Sequence, residues 1–250
     1  MRVHIVTLFP EYFRGPFDCG PTRVACERGL LAPAFVNPRD FTSDPHRTVD
    51  DYPFGGGAGM VLRPEPLCRA IDSVRGPGSH VVLLSARGRR FDHQHATRLQ
   101  HLEHLVLVCG RYKDVDERVR ASAVDEELSV GDFILAGGEA AAVVVVEALA
   151  RLLPGAVEHP ESVATDSFSN SLLDAPWYTR PREFRGRSVP EVLLSGDHAA
   201  VARWRREQAL RLTARRRPEL LRDETLSAAE LALVRQELAK ENHDGQEDQV

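Results

Sequence analysis

The sequence predicts an α/β fold with a parallel sheet, followed by a small α-helical domain. Three observations carry that expectation. Residues 81–84 (VVLL) and 105–109 (LVLVC) are short unbroken apolar runs, the pattern of strands buried on both faces beneath helices. The stretch between them, 92–104, is polar with helical spacing, which completes a strand–helix–strand unit. After Pro154 the composition changes: Ser, Thr and Pro interrupt any period up to Pro190, and two helical patterns follow.

The elements follow in order. Residues 3–8 (VHIVTL) are a β-branched run ended by Pro10, an opening strand. A helix is expected over 22–31 and a second strand over 34–41. Residues 39–60 lack an apolar period and carry four glycines after Pro53, a long loop of the kind that serves function in compact domains. A helix over 64–74 begins at Pro64, where proline is tolerated. Small-residue turns, 85–88 (SARG) and 110–112 (GRY), end the two apolar strands, and 129–139 (SVGDFILAGGE) reads as a strand-like stretch between glycines. Ligands of open α/β sheets bind beyond the carboxyl ends of the strands, where such turns collect. An apolar helix over 139–153 stops at Pro154-Gly155, further helices cover 197–217 and 227–242, and the polar residues 243–250 form a frayed end. The expected division is an α/β domain over 1–155, a linker over 156–175 and a helical domain over 176–250.

Composition removes several classes. With 250 residues and 42% hydrophobic positions the chain can build a core. Its longest apolar run, 140–146, is too short for a bilayer core of ~30 Å, and no basic-then-apolar leader is visible, so a cytoplasmic protein without membrane contact is expected. Cys19, Cys26, Cys68 and Cys109 form no C-x-x-C pair and read as reduced thiols. The only lysines, Lys113 and Lys240, do not follow glycine, which excludes a Walker loop. There is no H-E-x-x-H or G-x-S-x-G, and His93, His95, His101 and His104 lack the further ligands of a metal site, so no metal residues are assigned.

Two features stay open on the residues alone. The glycine-rich stretch 55–60 does not match G-x-G-x-x-G; it is either a flexible turn or a close-approach loop, next to charged positions such as Arg39, His46 and Asp50. The net charge of −5 argues against a nucleic-acid partner, yet residues 201–222 carry +6 and 223–250 carry −6. The basic helix, with Arg203, Arg205 and Arg206, either meets a phosphate backbone or pairs with the acidic segment. Arg151 and Asp166 flank the linker, and neither stands out by itself.

Taken together in order, LFPEYF (8–13), RDFTSDPHRTVDDYPFGGGAGM (39–60), VCGRY (108–112), DERV (116–119), SVGDFILAGGE (129–139), DSF (166–168), YTRP (178–181) and VPEVLLSGDHAAVARWRREQAL (189–210) resemble one family. It is the bacterial tRNA (guanine-N1)-methyltransferases of the knotted SPOUT class. The resemblance implies S-adenosylmethionine (AdoMet) as methyl donor, tRNA as substrate rather than DNA, and N1 of the guanosine just 3′ of the anticodon as target. It also implies a homodimer with each active site at the subunit interface, and a SPOUT-type parallel sheet tied in a deep trefoil knot. By position in the family's motifs, Leu84, Ser85, Gly110, Val130, Gly131, Asp132, Phe133, Ile134, Leu135, Gly137 and Gly138 would hold AdoMet. Asp166 would be the general base and Arg151 its cationic partner, while Arg39, His46, Asp50, Arg203, Arg205 and Arg206 would meet RNA. The chain departs from the pattern in having Lys113-Asp114 where the family has Glu-Gly, which leaves the family's Mg²⁺ ion in question. Val157-Glu158 stands where Leu-Gly is usual. A related methyltransferase of another RNA and a catalytically silent RNA-binding protein are the alternatives.

Overall fold

The computed structural model describes residues 1–247. In chain order it contains β1 (Arg2–Val6), α1 (Gly20–Glu27), β2 (Ala32–Val36), β3 (Asp50–Asp51), β4 (Val61–Leu62), α2 (Pro64–Asp72), β5 (Ser79–Arg90), α3 (His93–Leu99) and β6 (His104–Cys109). It continues with β7 (Asp114–Val115), α4 (Glu117–Ala123), β8 (Glu126–Ser129), α5 (Glu139–Leu152), α6 (Pro160–Thr165), β9 (Glu183–Phe184), β10 (Arg187–Ser188), α7 (His198–Arg216) and α8 (Ala228–Glu247). The chain forms two compact units, Met1–Pro160 and the residues from Glu161 onward.

The first unit is built on a five-stranded sheet of order β2-β1-β6-β5-β8 with every pairing parallel. All six residues of the central strand β6 are buried, which is why its sequence is apolar without alternation. Its side chains still alternate between faces. Leu105, Leu107 and Cys109 join the core packed under α1, α3 and α5, whereas Val106 and Val108 join the one under α2 and α4. Strands short enough to be ambiguous in sequence are thus fixed by burial from both sides.

Several expectations shift. The second strand ends at Val36 because Pro38 begins a turn of 3-10 helix, so residues 37–41 leave the sheet. His104 belongs to β6 rather than to the preceding helix. Its ring nitrogens lie 2.7 Å from His4 Nδ1 and 2.7 Å from Ser79 Oγ. Residues 130–138 are not a strand: β8 ends at Ser129, and Phe133, Ile134 and Leu135 face solvent. The glycines explain that, since Gly131 has φ +152° and breaks the extended path. Residues 85–88 form an excursion within β5. Leu84 and Arg89 both face Leu128, and a Cβ on Gly88 would fall within 2.5 Å of the Glu127 carbonyl carbon.

In the second unit α7 and α8 pack around Leu172, Ala175, Ala209, Leu210, Ala214 and Val234. Residues 161–175, expected within the linker, lie in this unit and supply Leu172 and Ala175 to its core. Asp197 caps α7 by accepting from the Ala200 N–H at 2.9 Å. Ser227 and Glu230 form a reciprocal capping box at the start of α8. That helix continues to Glu247, past the expected end at 242, and the remainder of the expected frayed segment, 248–250, lies outside the described residues. The hairpin of β9 and β10 went unforeseen; it turns on Arg185 and Gly186, both at positive φ, as a two-residue hairpin loop requires. Among the described residues no helix is long and apolar enough to cross a membrane.

Candidate active site

Past the carboxyl ends of β6 and β8 and at the excursion within β5, the three small-residue segments converge on one pocket of about 370 Å³. Leu84, Ser85, Gly110, Val130, Gly131, Phe133, Ile134, Leu135, Gly137 and Gly138 line it, while Asp132, chosen with them from the sequence, does not. The floor is close backbone. A Cβ on Gly138 would lie 2.7 Å from the Cys109 Cα, and one on Gly110 would touch the Leu84 carbonyl oxygen at 3.5 Å. The Gly138 N–H donates to the Gly110 carbonyl at 2.8 Å, so the second and third loops are tied directly. Such a surface admits a ligand against main chain where side chains would fill the space.

Beneath the loops lies a network that sequence reasoning missed. Glu139, the first residue of α5, is buried, and its carboxylate accepts from Thr7 Oγ1 at 2.8 Å and Arg111 Nη1 at 3.5 Å. Its position at a helix N-terminus also favours the negative charge. Arg111 lies over the Phe9 ring at 4.6 Å, and joins Gly137 in an isolated bridge. Thr7, Arg111 and Glu139 therefore connect the end of β1, the second loop and the third. The only signal in sequence was an acid directly after a glycine pair. Burial and then the charge of Glu139 push the Cys109 thiol up, which leaves it protonated packing rather than a nucleophile.

The mouth of the pocket is cationic. Arg87, Arg111 and Lys113 line it. The acid there, Asp114, accepts from Arg120 Nη2 at 3.0 Å and lies 3.8 Å from Arg87 Nε. The Lys113 N–H donates to the Met60 carbonyl at 2.8 Å and β4 pairs with β7, which anchors the end of the glycine-rich loop beside the pocket. In that long loop the Arg39 guanidinium donates to the Arg47 carbonyl at 3.0 Å, Arg47 pairs with Asp40, and Asp50 begins β3. His46 is exposed in the same loop.

The remaining sequence-chosen residues divide between the units. Arg151 stands in the last turn of α5, in the first unit. Asp166 lies in the second, just after α6, where it lines a cleft of about 200 Å³ with Asn170, Asp174, Trp177, Arg205 and Arg206. Asp166, expected as the base, and Arg205 and Arg206 of the basic helix thus meet in one place. The reading that pairs the basic helix with the acidic segment holds in part. Arg206 pairs with Glu230 at 2.7 Å and Arg211 with Glu237 at 2.9 Å, whereas Arg205 lies 4.2 Å over the Trp177 ring and Arg203 is exposed.

A parallel α/β sheet with a glycine-floored pocket beside its strand ends, followed by an arginine-rich helical unit, places the chain among α/β proteins with an appended helical unit. Comparison with known proteins then fixes the family. The model of the family described as tRNA (Guanine-1)-methyltransferase TrmD matches residues 1–223, and the chain belongs to that family. Relatives named tRNA (guanine-N(1)-)-methyltransferase include one from Dictyoglomus turgidum, 47% identical over 96% of this chain and 98% of its own length. Those from Geobacter sulfurreducens and Aromatoleum aromaticum are 50% identical (95% of this chain, 99% of the relative) and 51% identical (93% and 91%).

Proposed function

We propose that the chain transfers the methyl group of AdoMet to N1 of the guanosine immediately 3′ of the anticodon in tRNA, a modification that supports reading-frame maintenance. The observation that carries this reading is the convergence of ten family-matched loop residues on one glycine-floored pocket. Its volume of about 370 Å³ is within the range of small-molecule sites. The apolar rim of Leu84, Phe133, Ile134 and Leu135 and the close backbone of Gly110 and Gly138 suit a flat base and a folded thioether chain. When bound, AdoMet supplies a methyl group on a positively charged sulfur.

The chain's own task is to make guanine N1 nucleophilic. N1 carries a proton at neutral pH, and the Asp166 carboxylate takes it as general base, a contribution of about 10²–10⁴-fold in rate. Loss of that proton builds negative charge on O6, which the guanidinium of Arg151 offsets. Transfer then depends on alignment, which the Thr7–Glu139–Arg111 network serves by fixing the loops. Arg203, Arg205 and Arg206, with Arg39, His46 and Asp50 from the long loop, hold the RNA. Asp132 stands between the lining residues Gly131 and Phe133 and belongs to the same proposed loop.

The residues at the pocket mouth do not fit a divalent cation. Lys113 stands among Arg87 and Arg111, and the Asp114 carboxylate is engaged by Arg120. No step is assigned to Mg²⁺. We further infer the trefoil knot, on the chain's membership of the family. The reading also includes a cytoplasmic homodimer with each active site shared between subunits, and ordering of the Asp166 segment on tRNA as the target base flips out.

Incubation with labelled AdoMet and a tRNA transcript tests the proposal. Label is expected in 1-methylguanosine at the site 3′ of the anticodon, and equal transfer to adenosine there overturns it. Asp166→Ala is expected to lower turnover by about 10²–10⁴-fold with AdoMet affinity retained; unchanged turnover rejects Asp166 as the base.

A further inference from the structure

A second cleft, of about 310 Å³, lies in the helical unit and shares Trp177 and Arg205 with the Asp166 cleft as a common wall. Its chemistry is divided. One side is aliphatic, from Val189, Leu193 and Leu194; the other is aromatic and cationic, from Trp177, Tyr178, Arg180 and Arg205. Among the described residues no acidic side chain lines it. Arg182, at its edge, is already neutralised by Glu191 at 2.7 Å. The two rings are held but not covered: Trp177 is 60% and Tyr178 48% exposed. The Trp177 Nε1–H donates to Asp174 Oδ2 at 2.6 Å, and the Tyr178 ring lies 6.3 Å from that of Trp204. Exposed aromatic rings of this size are costly to leave in water unless something apolar and flat covers them.

We propose that this cleft is the subsite for one unpaired nucleotide next to the target guanosine, its base stacked against the Trp177–Arg205 pair. Single-stranded RNA is read in this way, by unstacked bases laid on aromatic rings and guanidinium planes. The volume is at the small end of small-molecule sites, about 300–1,000 Å³, which suits one nucleotide rather than a helical stem. Arg180 supplies a phosphate partner beside the ring, so base and backbone are met from adjacent residues of one loop. The shared wall gives the relationship its meaning. A guanine at Asp166 and a base in the second cleft are neighbours across Trp177, so occupation of one helps to place the other. This inference rests on the proposed function, which is what puts the target beside Asp166.

The chain has two tryptophans, and Trp204→Phe leaves Trp177 as the sole reporter. This full-length variant is titrated with an anticodon stem-loop RNA and with versions carrying an abasic residue on either side of the target guanosine. The intact RNA is expected to quench Trp177, and one abasic position to remove the quench and weaken binding about tenfold, the scale of a single base stack. Trp177→Ala is expected to weaken the intact RNA by the same factor and to be indifferent to the abasic change, while Trp177→Phe keeps most of the affinity. Tyr178→Ala, at the cleft's outer side, gives the same pattern in smaller degree and serves if Trp177→Ala does not fold. Equal quenching by intact and abasic RNAs, penalties that multiply instead of coinciding, or quenching by AdoMet alone overturns the subsite. Methyl transfer is read separately on the same RNAs: a wild-type protein that methylates no guanosine overturns the enzymatic reading, and the quench decides the cleft by itself.

Discussion

Gly138 has no room for a side chain, and the atoms that exclude it cannot yield. Its added Cβ would meet the Cα of Cys109 at 2.7 Å and the amide nitrogen of Gly110 at 3.0 Å, both main-chain atoms of the central strand and its turn. Overpacking of this kind costs about 1–3 kcal/mol. Gly138→Ala is therefore expected to lower the melting temperature and to weaken AdoMet binding by displacing the second loop; titration calorimetry showing wild-type affinity refutes this. Charge decides at Lys113. An ammonium beside two guanidiniums repels a divalent cation, and the nearby carboxylate of Asp114 is taken by Arg120. Methyl transfer is expected to persist in EDTA, and loss of activity restored by Mg²⁺ overturns that expectation. Lys113→Glu is expected to make the reaction responsive to Mg²⁺, measured as initial rate against metal concentration.

At the scale of elements, α7 and α8 are joined by charge as well as by Leu210 and Val234. Glu230 receives the Arg206 guanidinium, then the backbone N–H and hydroxyl of Ser227, and its carboxyl is pulled down to about 2. A carboxylate with a depressed folded value stabilises the fold fully above its ordinary value of 4.5 and loses that contribution as pH falls toward about 2. The helical unit is thus expected to weaken over that acid range. Circular dichroism melts of wild type and Glu230→Gln should converge below it and separate above it, wild type being the more stable; parallel curves at every pH reject the assignment. The same pairing consumes part of the local +6 charge read from residues 201–222, while Arg203 and Arg205 stay outside it.

Across the whole molecule, what could be read in advance was whatever rests on local pattern. The buried strands β1, β5 and β6 and the apolar helix α5 announce themselves because burial on all sides demands apolar runs. The pocket residues were legible through the family motifs, and glycine spacing alone gave only turns. What stayed hidden depends on contacts between distant segments: the Thr7–Glu139 bond across 132 positions, and the wall that Trp177 and Arg205 build between two clefts. Phe133, Ile134 and Leu135 misled in the opposite direction, because an apolar triplet reads as strand although here it faces the pocket and solvent. The division into two units makes one last consequence measurable. A ligand bound only by the folded state stabilises it by about 2.7 kcal/mol at a hundredfold excess over its Kd. The pocket proposed for AdoMet is lined entirely from the first unit, whereas both tryptophans belong to the second. In urea, AdoMet at that excess is expected to slow hydrogen exchange of the β6 amides by the corresponding factor of about one hundred, with the midpoint of the tryptophan fluorescence transition unmoved. If the fluorescence midpoint shifts to match, the two units unfold as one cooperative body and the ligand's stabilisation is shared by both.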